Sequence, residues 1–312
     1  MGLFTIPQNG PEVSDEIISF DPETLERKPV IKSQVLREFT ALGNQQAVRI
    51  VEGIPEREDG ALDPDAVDRL LITAHCEMQR ISEEFQHGKR VAELLKPLLN
   101  ALRDMGVERP IRIVDIGCGT GFVVRWLAAN ESLGDAVEII GSDFNATLIR
   151  EAQRLAEVEK LPCAFVVANA FRLEHPATIY LSTGILHHFR GQSLIELLNQ
   201  HNRQETCAFV HFDFHPSPLA PFGSWLFHTV RMREPLAKHD GVLSAVRAHK
   251  SRDLLAAART AAPDFITTIY GTRLWGLPIP RVFHALVGIR PAYRDAFSRY
   301  MGRRIASLGK IE

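Results

Sequence analysis

Residues 111 to 121 read Ile-Arg-Ile-Val-Asp-Ile-Gly-Cys-Gly-Thr-Gly, and this stretch decides the fold. Its first six residues are mostly β-branched and apolar, which predicts a buried strand. Gly117, Gly119 and Gly121 then alternate with other residues, and a helical pattern starts at Phe122. Glycine permits a positive φ and a close approach of the backbone to a ligand. Because the first N–H groups of a helix lack partners inside it, they face such a ligand. The stretch therefore predicts a strand, a ligand-binding loop and a helix.

Six further segments have the composition of strands and follow at intervals along the chain. They cover residues 137–143, 164–168, 178–182, 207–214, 265–272 and 281–289. Strands that alternate with helical patterns indicate parallel pairing. The prediction is an α/β fold with a doubly wound, seven-stranded and mostly parallel Rossmann-like sheet. Its last two strands lie close in sequence and are expected to form an antiparallel hairpin at the sheet edge.

The rest of the chain is predicted to be helical and to flank the sheet domain. We assign residues 1–106 to an N-terminal arm and helical extension, and residues 107–312 to the sheet domain. A small helical cap, about residues 216–249, is inserted after the fifth strand. Apolar residues three and four apart over 67–85 and 91–102 indicate amphipathic helices. One interpretation is that both helices pack in the core. The other is that the turn between them, around residues 85–87, closes over a ligand.

Composition and charge exclude some classes of function. The 312 residues carry a formal charge of −2 and no run rich in lysine or arginine, so nucleic acid is not an expected partner. The four cysteines form no CxxC pair, which favours reduced thiols in a cytoplasmic protein over a disulfide framework or a zinc site. We expect no signal peptide and no integral membrane segment. The expected partner is a small molecule, and the oligomeric state stays open.

Four motifs in this order resemble the class I S-adenosylmethionine-dependent methyltransferases. Their glycine loop, Asp-hydrophobic-Gly-x-Gly-x-Gly, matches residues 115–121, and the acid that holds the ribose matches Asp143. Their adenine-contact position matches Asn169, where many relatives carry Asp, and their Leu-His-His segment matches residues 186–189. The resemblance implies S-adenosyl-L-methionine as the cofactor. The residues expected to bind it are Asp115, Gly117, Cys118, Gly119, Thr120, Gly121, Asp143, Phe144, Asn169, Ala170, Phe171, Ser182, Thr183 and Gly184.

Histidines near the ends of the fourth and fifth strands are the candidate catalytic residues. Methyl transfer depends on positioning, and a base near the nucleophile assists it. We rank His188 first as this base, then His215, then His187. Asp213 is expected to orient a histidine or to contact the substrate. A metal site made of His211, Asp213 and His215 is the weaker interpretation, since a straight strand spreads these side chains apart. No metal is expected.

The aromatic segment within the predicted cap suggests where the methyl acceptor binds. Phe222 and Trp225 are expected to line an acceptor pocket, and an aromatic face also tolerates the positive charge of a sulfonium. Packing within a small cap domain is an equally good interpretation of this segment. Docking on a membrane surface is a weaker one, because the flanking positive charge is modest.

Three functions compete. The leading prediction is methyl transfer to oxygen or carbon of a small, largely apolar acceptor that is aromatic, quinone-like or lipid-like. A nicotinamide-dependent oxidoreductase is disfavoured, because Phe122 stands where its fingerprint needs glycine or alanine. Methylation of nucleic acid is disfavoured too, since the segment after the fourth strand lacks the Asn/Asp-Pro-Pro-aromatic pattern. The alternative hypothesis is a non-catalytic regulatory protein that binds S-adenosylmethionine or another nucleoside.

Overall fold

The structure, a computed structural model, describes residues 10–131, 133–134, 136–271 and 282–308. The α-helices within these residues are α1 (Val13–Glu16), α2 (Lys32–Ala41), α3 (Gln45–Glu52), α4 (Pro64–Glu84), α5 (His87–Asp104), α6 (Phe122–Asn130), α7 (Ala146–Glu159), α8 (Gln192–Asn199), α9 (Ala220–Arg231), α10 (Pro235–Val246), α11 (Ser251–Ala261) and α12 (Arg294–Met301). The strands are β1 (Ser19–Phe20), β2 (Arg27–Lys28), β3 (Ile111–Ile116), β4 (Val137–Asp143), β5 (Ala164–Val167), β6 (Ile179–Thr183), β7 (Ala208–Phe214), β8 (Ile266–Gly271) and β9 (Phe283–Ile289). The predicted strand ends Thr272 and Arg281 lie outside the described residues.

The chain packs into two compact units. The first comprises Met1–Ile81 and Pro216–Arg247, and the second comprises Ser82–His215 and Ala248–Glu312. The predicted insertion after the fifth strand is helical, as α9 and α10, and it packs in the first unit. Helix α5, which the sequence analysis assigned to the N-terminal extension, packs in the second unit with the sheet.

The sheet of the second unit is the predicted doubly wound one. Within the described residues its seven strands lie in the order β5-β4-β3-β6-β7-β9-β8. Strands β3 to β7 pair in parallel, and β9 runs antiparallel to both of its neighbours, β7 and β8. The hairpin predicted for the end of the chain is therefore present at one edge. The centre of the sheet brings the carboxyl ends of β3, β4, β6 and β7 to one side of the molecule.

Strand β3 shows why helices cover both faces of the sheet. Ile111 and Ile113 are buried in one core cluster, and Val114 and Ile116 are buried in the other. Successive side chains of a strand point to opposite faces, so a strand with apolar side chains on both faces must be covered on both. Helix α5 contributes the apolar stripe predicted from its spacing to the first cluster. The core-packing interpretation therefore holds for this helix.

The first unit contains a polar arrangement that the sequence did not indicate. Asp240, within the buried helix α10, accepts hydrogen bonds from the backbone N–H groups of Val13 and Ser14, both at 2.9 Å. Its neighbour His239 bonds to Asp240 at 2.7 Å and to Asn44 at 2.8 Å. These bonds satisfy the start of α1 and compensate for the burial of a charge. Their role is structural.

Asn145 caps α7, the helix that follows the predicted ribose acid. Its side-chain oxygen accepts hydrogen bonds from the N–H groups of Thr147 and Leu148. We expect Asn145→Ala to lower the free energy of unfolding by about 1 kcal/mol, because two N–H groups then lose their acceptor. Asn145→Asp keeps the acceptor and should stay near wild type. Urea denaturation measures both variants, and equal stability for Ala and wild type would contradict the cap.

Candidate active site

The glycine loop after β3 adopts a conformation that only glycine tolerates. Gly117, Gly119 and Gly121 have φ values of 67°, 54° and 73°. A Cβ on Gly117 would lie 2.5 Å from Cγ2 of Ile185, and one on Gly121 would lie 2.3 Å from Cε1 of Phe165. The sequence prediction of a close-approach loop at the start of α6 is thus matched by the backbone.

Asp143, at the end of β4, holds this loop in place. One of its carboxylate oxygens accepts a hydrogen bond from the N–H of Gly119 at 3.0 Å, and the other accepts one from the N–H of Asn145 at 2.9 Å. The side chain is buried. Each carboxylate oxygen has two lone pairs, so the same group retains capacity for ligand hydroxyls.

Asp115 is buried beside the loop without a hydrogen bond to its Oδ1 from any described residue. Burial, and secondly the charge of Asp143, raise the pKa of Asp115 to about 7. An unpaired buried carboxylate is costly unless a cation or a donor completes it. Oδ1 of Asp115 is therefore an unsatisfied acceptor beside the loop, which suits a ligand that carries an ammonium group.

The residues predicted to contact adenine lie along the neighbouring strand ends. Phe144 directly follows β4 and is 46% exposed, and Phe171 follows β5 and is 37% exposed. Asn169 accepts a hydrogen bond from the N–H of Phe171 at 2.8 Å, which fixes the turn, and Ala170 packs against the core. Two exposed aromatic rings at adjacent strand ends suit a planar ligand.

Ser182, near the end of β6, is one of the residues expected to bind the cofactor. Its hydroxyl is fully buried and bonds to Nδ1 of His211 at 2.8 Å, and the cofactor contact of this residue stays a prediction. His211 in turn bonds to His201 at 2.8 Å between their Nε2 atoms. Gly184 has a φ of 77° and begins the turn towards the two adjacent histidines. Thr183 and Gly184 are half-buried, and their contact with the cofactor stays a prediction.

Asp213 and His187 form a buried pair at the carboxyl ends of β7 and β6. One Asp213 oxygen accepts a hydrogen bond from Nδ1 of His187 at 2.8 Å, and the other accepts one from the His187 backbone N–H at 2.9 Å. Burial alone would raise the pKa of Asp213, but the hydrogen bonds and charge of His187 outweigh it and hold that pKa at about 2. Because a carboxylate only accepts, Nδ1 of His187 carries a proton.

His188 and His215, which the sequence ranked above His187, have other surroundings. The ring of His188 lies against that of His187, with centroids 4.4 Å apart, and it is half-buried. His215 lies 3.5 Å from His284 between their Nδ1 atoms. The three polar residues in and just after β7 therefore have separate partners: His211 bonds to Ser182 and His201, Asp213 bonds to His187, and His215 lies beside His284.

A group of aromatic rings adjoins the Asp213–His187 pair. Phe283 is the centre of this group, with ring centroids 5.4 Å from Phe85, 4.9 Å from Phe214 and 4.4 Å from His87. Phe214 also lies 6.0 Å from the ring of His187. Sequence reasoning named residues 85–87 only as a turn that could close over a ligand. The pairing of β7 with β9, which brings Phe283 opposite Phe214, had no signal in the sequence.

His87 contributes a polar atom to this aromatic group. Its Nδ1 lies 3.2 Å from the Ser82 hydroxyl, while its Nε2 is buried and bonds to no described residue. Burial, followed by the charge of Arg90, lowers the pKa of His87 to about 4, so the ring is neutral near neutral pH.

Phe222 and Trp225, the predicted acceptor contacts of the cap, lie on α9 in the first unit. Phe222 is exposed, Trp225 is half-buried, and their ring centroids are 5.9 Å apart. Their role in binding an acceptor stays a prediction. No helix in the described part of the chain is both long and apolar enough to cross a bilayer.

Comparisons with known proteins agree with the strand order and the glycine loop. Residues 113–204 match a family model described as a methyltransferase domain. No curated protein matches the chain. Among solved structures, the chain is similar to the plantazolicin methyltransferase BamL, solved with a triazolic desmethylPZN analog and SAH. That likeness has 13% sequence identity and a TM-score of 0.48, and it covers 71% of this chain and 96% of that chain.

A second similar structure is magnesium protoporphyrin IX methyltransferase (ChlM) from Synechocystis PCC 6803 with bound SAH. It shares 17% sequence identity at a TM-score of 0.44, over 83% of this chain and 99% of that chain. The family match defines the class of residues 113–204, a methyltransferase domain, and the sheet has the Rossmann-like topology that fits such a domain. The protein is an enzyme of this kind, and its cofactor is S-adenosyl-L-methionine.

The raised pKa of Asp115 predicts how stability depends on pH in the absence of ligand. Between its ordinary pKa of 3.8 and about 7 the folded state binds more protons than the unfolded state, so stability falls as the pH rises through this window. Asp115→Asn removes the buried charge. We expect a gain on the order of 1–3 kcal/mol at pH 8 and a flatter profile from pH 4 to 7.

Urea denaturation of the ligand-free protein across this pH range measures the effect. Glu174→Gln serves as the control, because the Glu174 side chain is 74% exposed and its ion pair with Arg172 is long, at 4.0 Å. If the stability of Asp115→Asn depends on pH in the same way as that of wild type and the control, the pKa of Asp115 is not raised in the folded protein.

Proposed function

We propose that this enzyme transfers the methyl group of S-adenosyl-L-methionine to oxygen or carbon of a small, largely apolar acceptor in the cytoplasm. The observation that carries the proposal is the Asp213–His187 pair, which adjoins the aromatic group around Phe283 at the carboxyl edge of the sheet. A base beside an apolar surface fits an acceptor such as a phenol, an enol or a quinol.

The residues present fit the cofactor. The loop of residues 117–121 with Asp115 would hold its amino acid end, Asp143 its ribose, and Phe144 with Asn169 its adenine. In support, Asp115 lacks a hydrogen-bond partner at Oδ1 among the described residues, and Gly117 and Gly121 have no room for a Cβ atom. When bound, this cofactor supplies a methyl group already activated on a positively charged sulfur. The protein is then left to orient the acceptor, exclude water and accept a proton.

His187 is the proposed base, in place of the His188 that the sequence ranked first. His187 donates its Nδ1 proton to Asp213, so in the neutral form of the ring the lone pair lies on Nε2, the nitrogen that we propose accepts the proton. The buried carboxylate favours the positive ring that forms when this happens. His188 and His215 are proposed as neighbours that shape the site.

The aromatic group supports an acceptor that is mostly apolar. Phe283 is almost fully buried, and Phe85 and Phe214 are half-buried around it. Edge-to-face contacts between such rings leave faces and edges on which a flat molecule can pack. A dry surface of this kind also protects the proton transfer from water. Phe222 and Trp225 remain proposed contacts for the acceptor.

The cofactor assignment predicts the effect of changing the ribose acid. Asp143→Ala removes charge-assisted acceptors for two ribose hydroxyls, so binding of S-adenosylhomocysteine should weaken by about 1.5–3 kcal/mol, roughly tenfold to 150-fold. Asp143→Asn keeps one acceptor oxygen and should lose less. Isothermal titration calorimetry measures both variants. Unchanged affinity in Asp143→Ala would place the ribose elsewhere.

The base assignment predicts a difference between the two adjacent histidines. His187→Ala should lower the single-turnover rate of methyl transfer by about 10²–10⁴-fold at saturating cofactor, while His188→Ala and His215→Ala should stay within a few-fold of wild type. The assay follows labelled methyl from S-adenosylmethionine into a panel of phenols and quinols. A normal rate in His187→Ala would remove His187 from the chemistry.

A further inference from the structure

His249 binds the backbone of the turn that carries His187 and His188. Its Nε2 lies 3.0 Å from the carbonyl oxygen of Leu186 and 2.9 Å from that of Phe189. Carbonyl oxygens only accept, so Nε2 of His249 carries a proton that the two carbonyls share. The side chain is buried, and it joins the turn from the segment between α10 and α11.

The other ring nitrogen of His249 faces a cation. Its Nδ1 lies 3.3 Å from a guanidinium nitrogen of Arg190, which only donates, so Nδ1 is unprotonated. Burial, and secondly the charge of Arg190, lower the pKa of His249 overall, although the hydrogen bonds to Leu186 and Phe189 and the charge of Asp213 act in the opposite direction. The ring is therefore a neutral donor, in a single tautomer, directed at the turn.

The turn that His249 holds touches each part of the candidate site. Ile185, at its start, lies beneath Gly117, where a Cβ would come within 2.5 Å of its side chain. Phe189, at its end, packs edge-on against Phe171 with centroids 5.1 Å apart. Between them, His187 bonds to Asp213 through both its ring and its backbone N–H. A shift of this turn would alter the glycine loop, the adenine side and the base together.

We propose that His249 is a positioning residue of this methyltransferase. It donates to the carbonyls of residues 186 and 189, while Asp213 accepts from the ring and backbone N–H groups of His187. The turn is therefore held by hydrogen bonds from two places, the segment before α11 and the end of β7. That the turn positions the base and part of the cofactor site rests on the function proposed above. The positioning itself is a property of the described fold and is testable without an acceptor.

Three substitutions at residue 249 separate positioning from mere packing. His249→Gln places an amide nitrogen near the position of Nε2 and can donate to both carbonyls. His249→Asn offers its amide nearer the position of Nδ1, where Arg190 lies, and His249→Leu fills similar space with no donor. Leu102→Ala is the control: Leu102 is buried on α5 in the core, so this variant loses stability without changing the turn.

Calorimetric binding of S-adenosylhomocysteine, together with the melting temperature, decides the question. We expect His249→Leu and His249→Asn to weaken binding by about threefold to tenfold and His249→Gln to restore most of it. Leu102→Ala should lower the melting temperature and leave the affinity near wild type. Wild-type affinity in folded His249→Leu, or equal losses in the Gln and Leu variants, would overturn the proposal. These measurements do not involve methyl transfer, so their outcome does not depend on whether the proposed acceptor and base are correct.

Discussion

The burial of the Asp213 carboxylate is the constraint on which the candidate active site depends. A buried negative charge is costly unless donors surround it. Asp213 is 2% exposed and accepts three hydrogen bonds, two from His187 and one from the N–H of Phe214. These bonds draw the turn after β6 towards the end of β7. The same bonds fix which nitrogen of His187 holds the proton, so one interaction sets both the backbone path and the chemistry.

A second acid plays the matching part on the cofactor side. Asp143 accepts the N–H of Gly119 and holds the glycine loop, while Asp115 is left unsatisfied beneath it. The ligand-free protein thus carries a destabilising charge at the place where the cofactor's amino acid end is proposed to bind. A ligand that supplies the missing hydrogen-bond donor stabilises the folded protein, because it pairs this carboxylate.

Much of the fold follows from local sequence patterns, whereas the side-chain partners do not. The apolar run of β3, the three glycines and the spacing of α5 are local signals, and they predicted the sheet and its loop. The choice of His187 over His188 as the partner of Asp213 depends on the pairing of β6 with β7 and on the turn between them. Phe283 and His249 reach the site through contacts between residues far apart in sequence, which no spacing rule encodes.

The position of the proton on the His187 ring can be measured directly by NMR. With histidine labelled by ¹⁵N and S-adenosylhomocysteine present, long-range ¹H–¹⁵N spectra at pH 7.5 distinguish the two ring nitrogens. We expect a proton on Nδ1, directed at Asp213, and an unprotonated Nε2 that can act as a base. In Asp213→Asn this preference should weaken. A wild-type ring with a proton on Nε2 would contradict the role assigned to the pair.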